Sequence, residues 1–451
     1  MSRSSIDISA FASLKAEKEP WLPQVFLPPR NYAFIAAADS ALIYSPGGGG
    51  KSALLHMLAY EWQDGKNGVL VVQWRPELPA ADDVNARDAW LNMLFSQMGF
   101  SLLEYLIANG ELINQLPNWA AKFLEAFLSK YRPPWFELEL LRLMDNASQD
   151  ARDWLERYVA EVSNAQKLFS GIPVTRTVSF FLKCLDTIGL SNMVVLIDGL
   201  EGWEATETDY VSAYLTEFLS MLALFEFAEL SFKLALPLSW RQRLRTAGVV
   251  SRRRASEFML EWTQEELVEI ANRRLTWSAK NPDLSLSSLC PNCNLIPWLT
   301  EYGGHSPRQW LSLTAGIVRA YIENEQQPIS LKQWQRLKRQ LLPRLRITAD
   351  NRIFIGEREL TGIASNLRAV LRYLYEHDHR ICSREELYYR AYRGYHRIPD
   401  RLDVNWESPA SWRGAFDMVI SRLRSELEPD PNHPKYIITY RGQGIKLNHI
   451  E

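Results

Sequence analysis

Apolar and polar positions along the chain fall into two rhythms. Ala41-Leu-Ile-Tyr44, Gly68-Val-Leu-Val-Val-Gln-Trp74, Asn192-Met-Val-Val-Leu-Ile197 and Phe232-Lys-Leu-Ala-Leu-Pro-Leu-Ser239 are short apolar runs without alternation. Such runs fit strands buried on both faces, as in a parallel sheet covered by helices. Between them the apolar spacing lengthens to three and four. Residues 52–60 read as a helix beginning at Lys51, and about 83–164 as a helical insert broken at Tyr131-Arg-Pro-Pro-Trp135. The tryptophans of the insert read as core. Thr263 and Glu266 form a capping-box pattern ahead of an amphipathic helix reaching Leu275, and a charged helix from Lys332 stops before Pro343.

Past Pro343 the pattern changes. Residues 346–360 alternate like a small hairpin around Asp350-Asn351, and helices follow at about 364–376 and 383–392. A third helix, Ser411 to Leu427, collects Phe416, Val419, Ile420, Leu423 and Leu427 on one face, leaving Met418, Ser421, Arg422 and Ser425 on the other. Residues 436–447 read as a closing hairpin with glycines at its turn. The chain thus divides at about 1–250, 251–342 and 343–451.

Composition changes this picture in a few places. With 451 residues, 47% of them hydrophobic, the chain has material for two to four packed domains. The net charge of −2 hides an asymmetry: residues 341–451 carry 18 Lys/Arg against 15 Asp/Glu, and the rest 33 against 38. The mildly basic tail permits a nucleic-acid partner. No apolar run has the length of a membrane span, and the N-terminus lacks a signal-peptide core, so a cytoplasmic protein with no membrane partner is expected. Four cysteines suit a reducing compartment. Cys290 and Cys293 read as a turn around Pro291-Asn292; a metal site there lacks a second ligand pair.

The chemistry concentrates at two points. Ser45-Pro46-Gly47-Gly48-Gly49-Gly50-Lys51-Ser52-Ala53 joins the first strand to the first helix. Its glycines let successive backbone N–H groups point inward, the helix start adds positive potential, Lys51 can reach terminal phosphates, and the Ser52 hydroxyl can ligate Mg²⁺. The tract resembles the Walker A phosphate-binding loop, with Ser45 standing where that pattern has its first glycine. The second point is Asp198, an acid at the C-terminal end of a buried strand, where open α/β sheets bind their ligands. Asp198 is placed to hold Mg²⁺ opposite Ser52. Asp198-Gly199-Leu200-Glu201 looks like the strand ending of STAND-type signalling ATPases, whereas AAA+ enzymes carry a glutamate directly after the aspartate. Glu201 has two readings: it orients an attacking water, or it caps the next helix.

That resemblance implies an α/β P-loop NTPase of the additional-strand type, with ATP and Mg²⁺ as cofactors, slow hydrolysis and ATP-dependent self-association. It makes Ser239, at the end of the 232–239 strand, a candidate γ-phosphate sensor, together with Arg241 or Arg243. These arginines open a stretch, Arg241 to Arg254, of six arginines and no acid, which also reads as a solvated or DNA-facing basic loop. Gly303-Gly-His-Ser-Pro307-Arg308 resembles the turn that starts the last helix of an AAA+/STAND lid. The resemblance implies Arg308 as a second sensor; the bland alternative is a proline at a helix start followed by a surface arginine.

Ile420-Ser-Arg-Leu-Arg424 followed by Tyr436-Ile-Ile-Thr-Tyr-Arg441-Gly-Gln-Gly444 looks like the winged helix-turn-helix of OmpR/PhoB-type response regulators, over about 346–447. The likeness assigns DNA contacts to Arg422, Arg424 and Lys446, with Arg413 and Arg441 on phosphates. Ser421 and Ser425 stand where that family is often basic, which thins the charge footprint. A winged helix used for protein contacts is the other reading. Taken together, the expected protein is an ATP-dependent switch that binds DNA, a transcription regulator or a regulator of a mobile or defence locus. A DNA-remodelling or loader ATPase and a nucleotide-stabilised scaffold are the alternatives. The insert either packs or receives a protein partner.

Overall fold

The computed structural model describes residues 6–62, 68–77, 86–133, 135–145, 147–149, 152–154, 172–201, 208–221, 224–248, 255–398, 412–428 and 430–450. The chain separates into two units, Ser13–Trp262 and a second comprising Thr263–Glu451 with the N-terminal stretch to Ala12.

The first unit is built on five parallel strands: β1 (Ala41–Ser45), β2 (Val69–Trp74), β3 (Asn192–Ile197), β4 (Leu230–Pro237) and β5 (Ser256–Met259). Their order is β2-β3-β4-β1-β5, so β4 lies between the strand that leads into the glycine loop and the strand that ends at Asp198. This is the additional-strand arrangement expected from the resemblance. Every residue of β1 is buried, because alternate side chains enter different cores. Leu42, Tyr44, Val72, Val195, Ile197, Leu234 and Leu236 pack with the insert helices Ala86–Ala108 and Asn118–Lys130. Ala41, Ile43, Val194, Leu196 and Ala235 face the opposite layer, where helix Lys51–Trp62 supplies Leu54, Leu55 and Leu58.

The insert follows the expected pattern, with helices Ala86–Ala108, Asn118–Lys130 and Phe136–Asp145 broken near the double proline. Its tryptophans divide: Trp90 is fully buried and donates to Tyr214 O at 2.9 Å, while Trp119 and Trp135 are exposed. The core reading therefore fails for those two. Strand β5 was not foreseen, since Ser256-Glu-Phe-Met is too short and polar to announce itself. Pairing with β1 makes it a strand.

The second unit begins with helix Gln264–Ala279, whose capping box is formed by Thr263 and Glu266 as predicted. Helices Leu295–Gly303, Pro307–Glu323 and Leu331–Gln340 follow. At the Cys290-Cys293 turn, Cys293 N–H donates to Cys290 O at 3.1 Å and the two sulfurs form a disulfide. The C-terminal part consists of a three-stranded antiparallel sheet, β6 (Leu345–Ile347), β7 (Ile353–Ile355) and β8 (Arg358–Glu359), then helix Ser365–Glu376, a short helix Arg384–Glu386 continuing as a π-helix to Tyr392, helix Trp412–Leu427, and the hairpin β9 (Ile437–Tyr440) and β10 (Gly444–Leu447). The expected two-stranded hairpin has gained a third strand, and the expected α-helix at 383–392 is mostly of the wider π form.

This tail is bound closely to the helices before it. Tyr436 donates its hydroxyl to Pro343 O at 2.7 Å, and Lys435 Nζ reaches Arg339 O and Gln340 O at 2.9 and 3.1 Å, closing the C-terminal end of helix Leu331–Gln340. Glu428, buried at the end of helix Trp412–Leu427, accepts from the N–H groups of Lys435, Tyr436 and Ile437 at 2.7, 2.8 and 2.8 Å.

Candidate functional site

The loop between β1 and helix Lys51–Trp62 owes its shape to residues with different tasks. Gly48 and Gly50 have φ of 76° and 95°, in the left-handed region that favours glycine. Gly49 is required for another reason: a Cβ there would meet Ser45 Oγ at 2.3 Å and Ser45 Cβ at 2.8 Å. The side chain that replaces the pattern's first glycine thus fills the space over a later one. Ser45 Oγ donates to Pro46 O at 3.0 Å. Trp262 Nε1 donates to Gly49 O at 2.9 Å, and its ring lies 3.6 Å from a Cβ built on Gly50. Leu238 N–H donates to Ser45 O at 3.2 Å, which ties the loop to the end of β4.

Lys51 is buried in the loop it serves, donating to Ser45 O at 2.9 Å, Ser45 Oγ at 3.2 Å and Pro46 O at 3.2 Å. It also forms an ion pair with Glu201. Glu201 therefore faces the loop lysine, which neither sequence reading of this residue included. The helix starting at Lys51 leaves its first backbone N–H groups without intrahelical acceptors, directed out of its N-terminus.

Asp198 follows β3, and its N–H donates to Trp74 O at 3.0 Å, so it ends at the same edge of the sheet as Arg75. A cavity of about 360 Å³ has Glu17, Ser52, His56, Gln73, Arg75 and Asp198 among its lining residues. The serine and the aspartate singled out in the sequence thus open into one cavity. Arg75 Nη2 lies 3.3 Å from Asp198 Oδ2, and its Nη1 lies 3.1 Å from Glu17 Oε1. Arg75 holds the Glu17 carboxyl below its ordinary range, and Glu17 in turn raises the guanidinium. Arg75, Glu17 and Trp262 were missed in the sequence: a lone arginine after a strand carries no periodic signal.

A hydroxyl and a carboxylate on one cavity, beside a glycine loop with a lysine and a helix start, have the donor set for Mg²⁺ and a polyphosphate. Ser239 is exposed just past β4, at the start of helix Trp240–Thr246, and Arg243 is exposed on that helix. Arg241 and Arg245 both pair with Glu257 of β5, Arg241 at 3.3 Å, so these two arginines brace the edge strand. Arg252, Arg253 and Arg254 lie outside the described residues. In the second unit Ser306 caps helix Pro307–Glu323, Pro307 occupies its first position, and Arg308 is exposed in its first turn.

In the C-terminal part, Phe416, Val419, Ile420, Leu423 and Leu427 are all buried, as the pattern predicted. Arg413, Met418, Ser421, Arg422 and Ser425 are exposed along the opposite side, Arg441 is exposed at the hairpin turn, and Lys446 is half-buried on β10. Arg424 departs from its expected place on the DNA face. Its guanidinium turns inward, donating to Ile437 O at 2.7 Å and Thr439 Oγ1 at 2.8 Å, because the hairpin offers it acceptors within reach. Asp417 pairs with Arg384 at 3.0 Å.

No protein-family profile and no curated protein matches this chain. Solved structures similar to it include these two. One is the response regulator DrrB, an OmpR/PhoB homologue of Thermotoga maritima, at 20% identity over 44% of this chain and 68% of that one, with a TM-score of 0.18. The other is the Aeropyrum pernix ORC1 protein in complex with DNA, at 14% identity over 98% of this chain and 93% of that one, with a TM-score of 0.36. Both likenesses are too distant to establish a shared fold, and the site's own geometry carries the functional reading. Among the described residues no helix is long and apolar enough to cross a membrane, and no cluster of three metal-ligating side chains occurs.

Proposed function

We propose that this chain is an ATP-dependent switch of the AAA+/STAND-like kind that binds DNA through a C-terminal winged helix. One observation carries the reading: Ser52, in the first turn of the helix after the glycine loop, and Asp198, just past the end of β3, are far apart in sequence yet line one cavity. Bound Mg²⁺ would supply positive charge to a phosphate chain and to its leaving oxygen. Ser52 and Asp198 are the residues to hold it, while Lys51 and the amides at the helix start hold the phosphates. Lys51 and Glu201 engage each other, so Glu201 becomes free to orient water only when Lys51 turns to phosphate. That coupling favours slow turnover, as a switch requires. Arg308 is proposed as a second nucleotide sensor, and self-association on ATP is proposed as the active form.

For DNA, Arg422 is the leading base-side contact, with Arg413, Arg441 and Lys446 on the backbone, and Arg424 supports the hairpin that presents them. A regulator of transcription or of a mobile or defence locus is the favoured role. The experiment measures nucleotide and DNA binding for wild type, Lys51→Ala and Arg422→Ala. Lys51→Ala removes nucleotide binding and its effect on DNA affinity, and Arg422→Ala weakens DNA binding alone. A Lys51→Ala protein that keeps wild-type nucleotide and DNA binding rules the switch out.

A further inference from the structure

Arg75 is the one guanidinium among the described residues that lies against the proposed metal carboxylate. It leaves the end of edge strand β2, where Trp74 pairs in register with Ile197, so that Arg75 and Asp198 project from neighbouring strands at the same edge. Gly199, with φ of 84°, leaves the Arg75 stem in ordinary contact: a Cβ there would stand 3.6 Å from Arg75 Cγ. The guanidinium is divided between two carboxylates, Glu17 at 3.1 Å and Asp198 at 3.3 Å. Glu17 is the stronger influence on it, being the first cause of its raised proton affinity.

A divalent cation bound at Asp198 would stand a few ångströms from the guanidinium on the same carboxylate, and the repulsion between the two positive charges sets them in competition for its oxygens. Glu17 offers the displaced guanidinium an anion on its other side. We propose that Arg75 is an internal competitor for the divalent cation at Asp198, and that cation binding coincides with transfer of Arg75 to Glu17. This deepens the nucleotide-site reading and rests on it. It makes Arg75 a positioning residue that sets the Mg²⁺ concentration at which nucleotide is captured.

The test titrates Mg²⁺ at a fixed concentration of a fluorescent ATP analogue, for wild type, Arg75→Gln and Glu17→Gln. Melting temperature is followed in parallel, with EDTA as the reference for folding. Partly exposed ion pairs of this kind shift equilibria by about three-fold. Arg75→Gln lowers the half-saturating Mg²⁺ concentration by about that factor. Glu17→Gln raises it, because Arg75 then has only Asp198. A general structural defect would move both variants the same way. If Arg75→Gln leaves the midpoint in place, or both variants shift in one direction, the competition is refuted while the nucleotide site stands. If wild type shows no Mg²⁺-dependent nucleotide binding that Lys51→Ala abolishes, the site reading fails and this inference with it.

Discussion

Ser45 and Gly49 make the sharpest test of the loop. Ser45 departs from the phosphate-loop pattern, and the structure gives that departure a cost elsewhere: the serine's Cβ and Oγ occupy the space that any side chain on Gly49 would need. Gly49→Ala therefore forces a contact of 2.3 Å with Ser45 Oγ and 2.8 Å with its Cβ, so loop or serine must shift. Overpacking of this kind costs about 1 to 3 kcal/mol, equivalent to roughly 5- to 150-fold in affinity when the strain is released only by distorting the binding loop. Ser45→Gly removes both offending atoms and forfeits one neutral hydrogen bond and one contact to Lys51, about 1 kcal/mol. The residual contact with Pro46 O, at 3.1 Å, is tight but tolerable. The double variant should then bind nucleotide close to the Ser45→Gly level, with a coupling of about 1 kcal/mol or more between the two sites. Affinity for an ATP analogue in saturating Mg²⁺ measures it, with melting curves confirming that all four proteins fold. A double variant as weak as Gly49→Ala would refute the reasoning, because the strain would then not come from Ser45.

Two further outcomes follow from cations that turn into the fold, one buried and one half-buried. Lys233 on β4 is buried and donates to Ala36 O and Ala38 O, and burial pulls its ammonium down from 10.5 to about 8. With the folded value below the unfolded one, the folded chain is penalised below pH 8 and recovers stability as pH rises towards 10.5, by up to about 3 kcal/mol; denaturant melts against Lys233→Met should show wild type gaining on the variant across that window, and a flat difference would contradict it. Arg424→Ala should lower the stability of the C-terminal part by about 1.5 to 3 kcal/mol, since charged donors to Ile437 O and Thr439 Oγ1 are lost, whereas Arg422→Ala should leave the melt unchanged and weaken DNA binding, as chemical denaturation paired with a DNA titration would reveal.

What was legible along the chain is what neighbours in sequence can write. The apolar runs of β1 to β4, the glycine loop and its helix, the acid closing β3, the Thr263–Glu266 capping box and the buried face of helix Trp412–Leu427 all depend on residues a few positions apart. Periodicity and capping are local, so they survive reading in one dimension. Tertiary structure decided the rest. The insertion of β4 between β1 and β3 depends on which strands pair, and β5 becomes a strand only because β1 offers it an edge. Arg75 finds Asp198 across 123 residues, Lys51 finds Glu201, and Arg424 finds a hairpin carbonyl instead of solvent. A charged side chain carries no mark of its partner in sequence, because the pairing energy depends on distance and solvent exposure, and both exist only once the chain has folded.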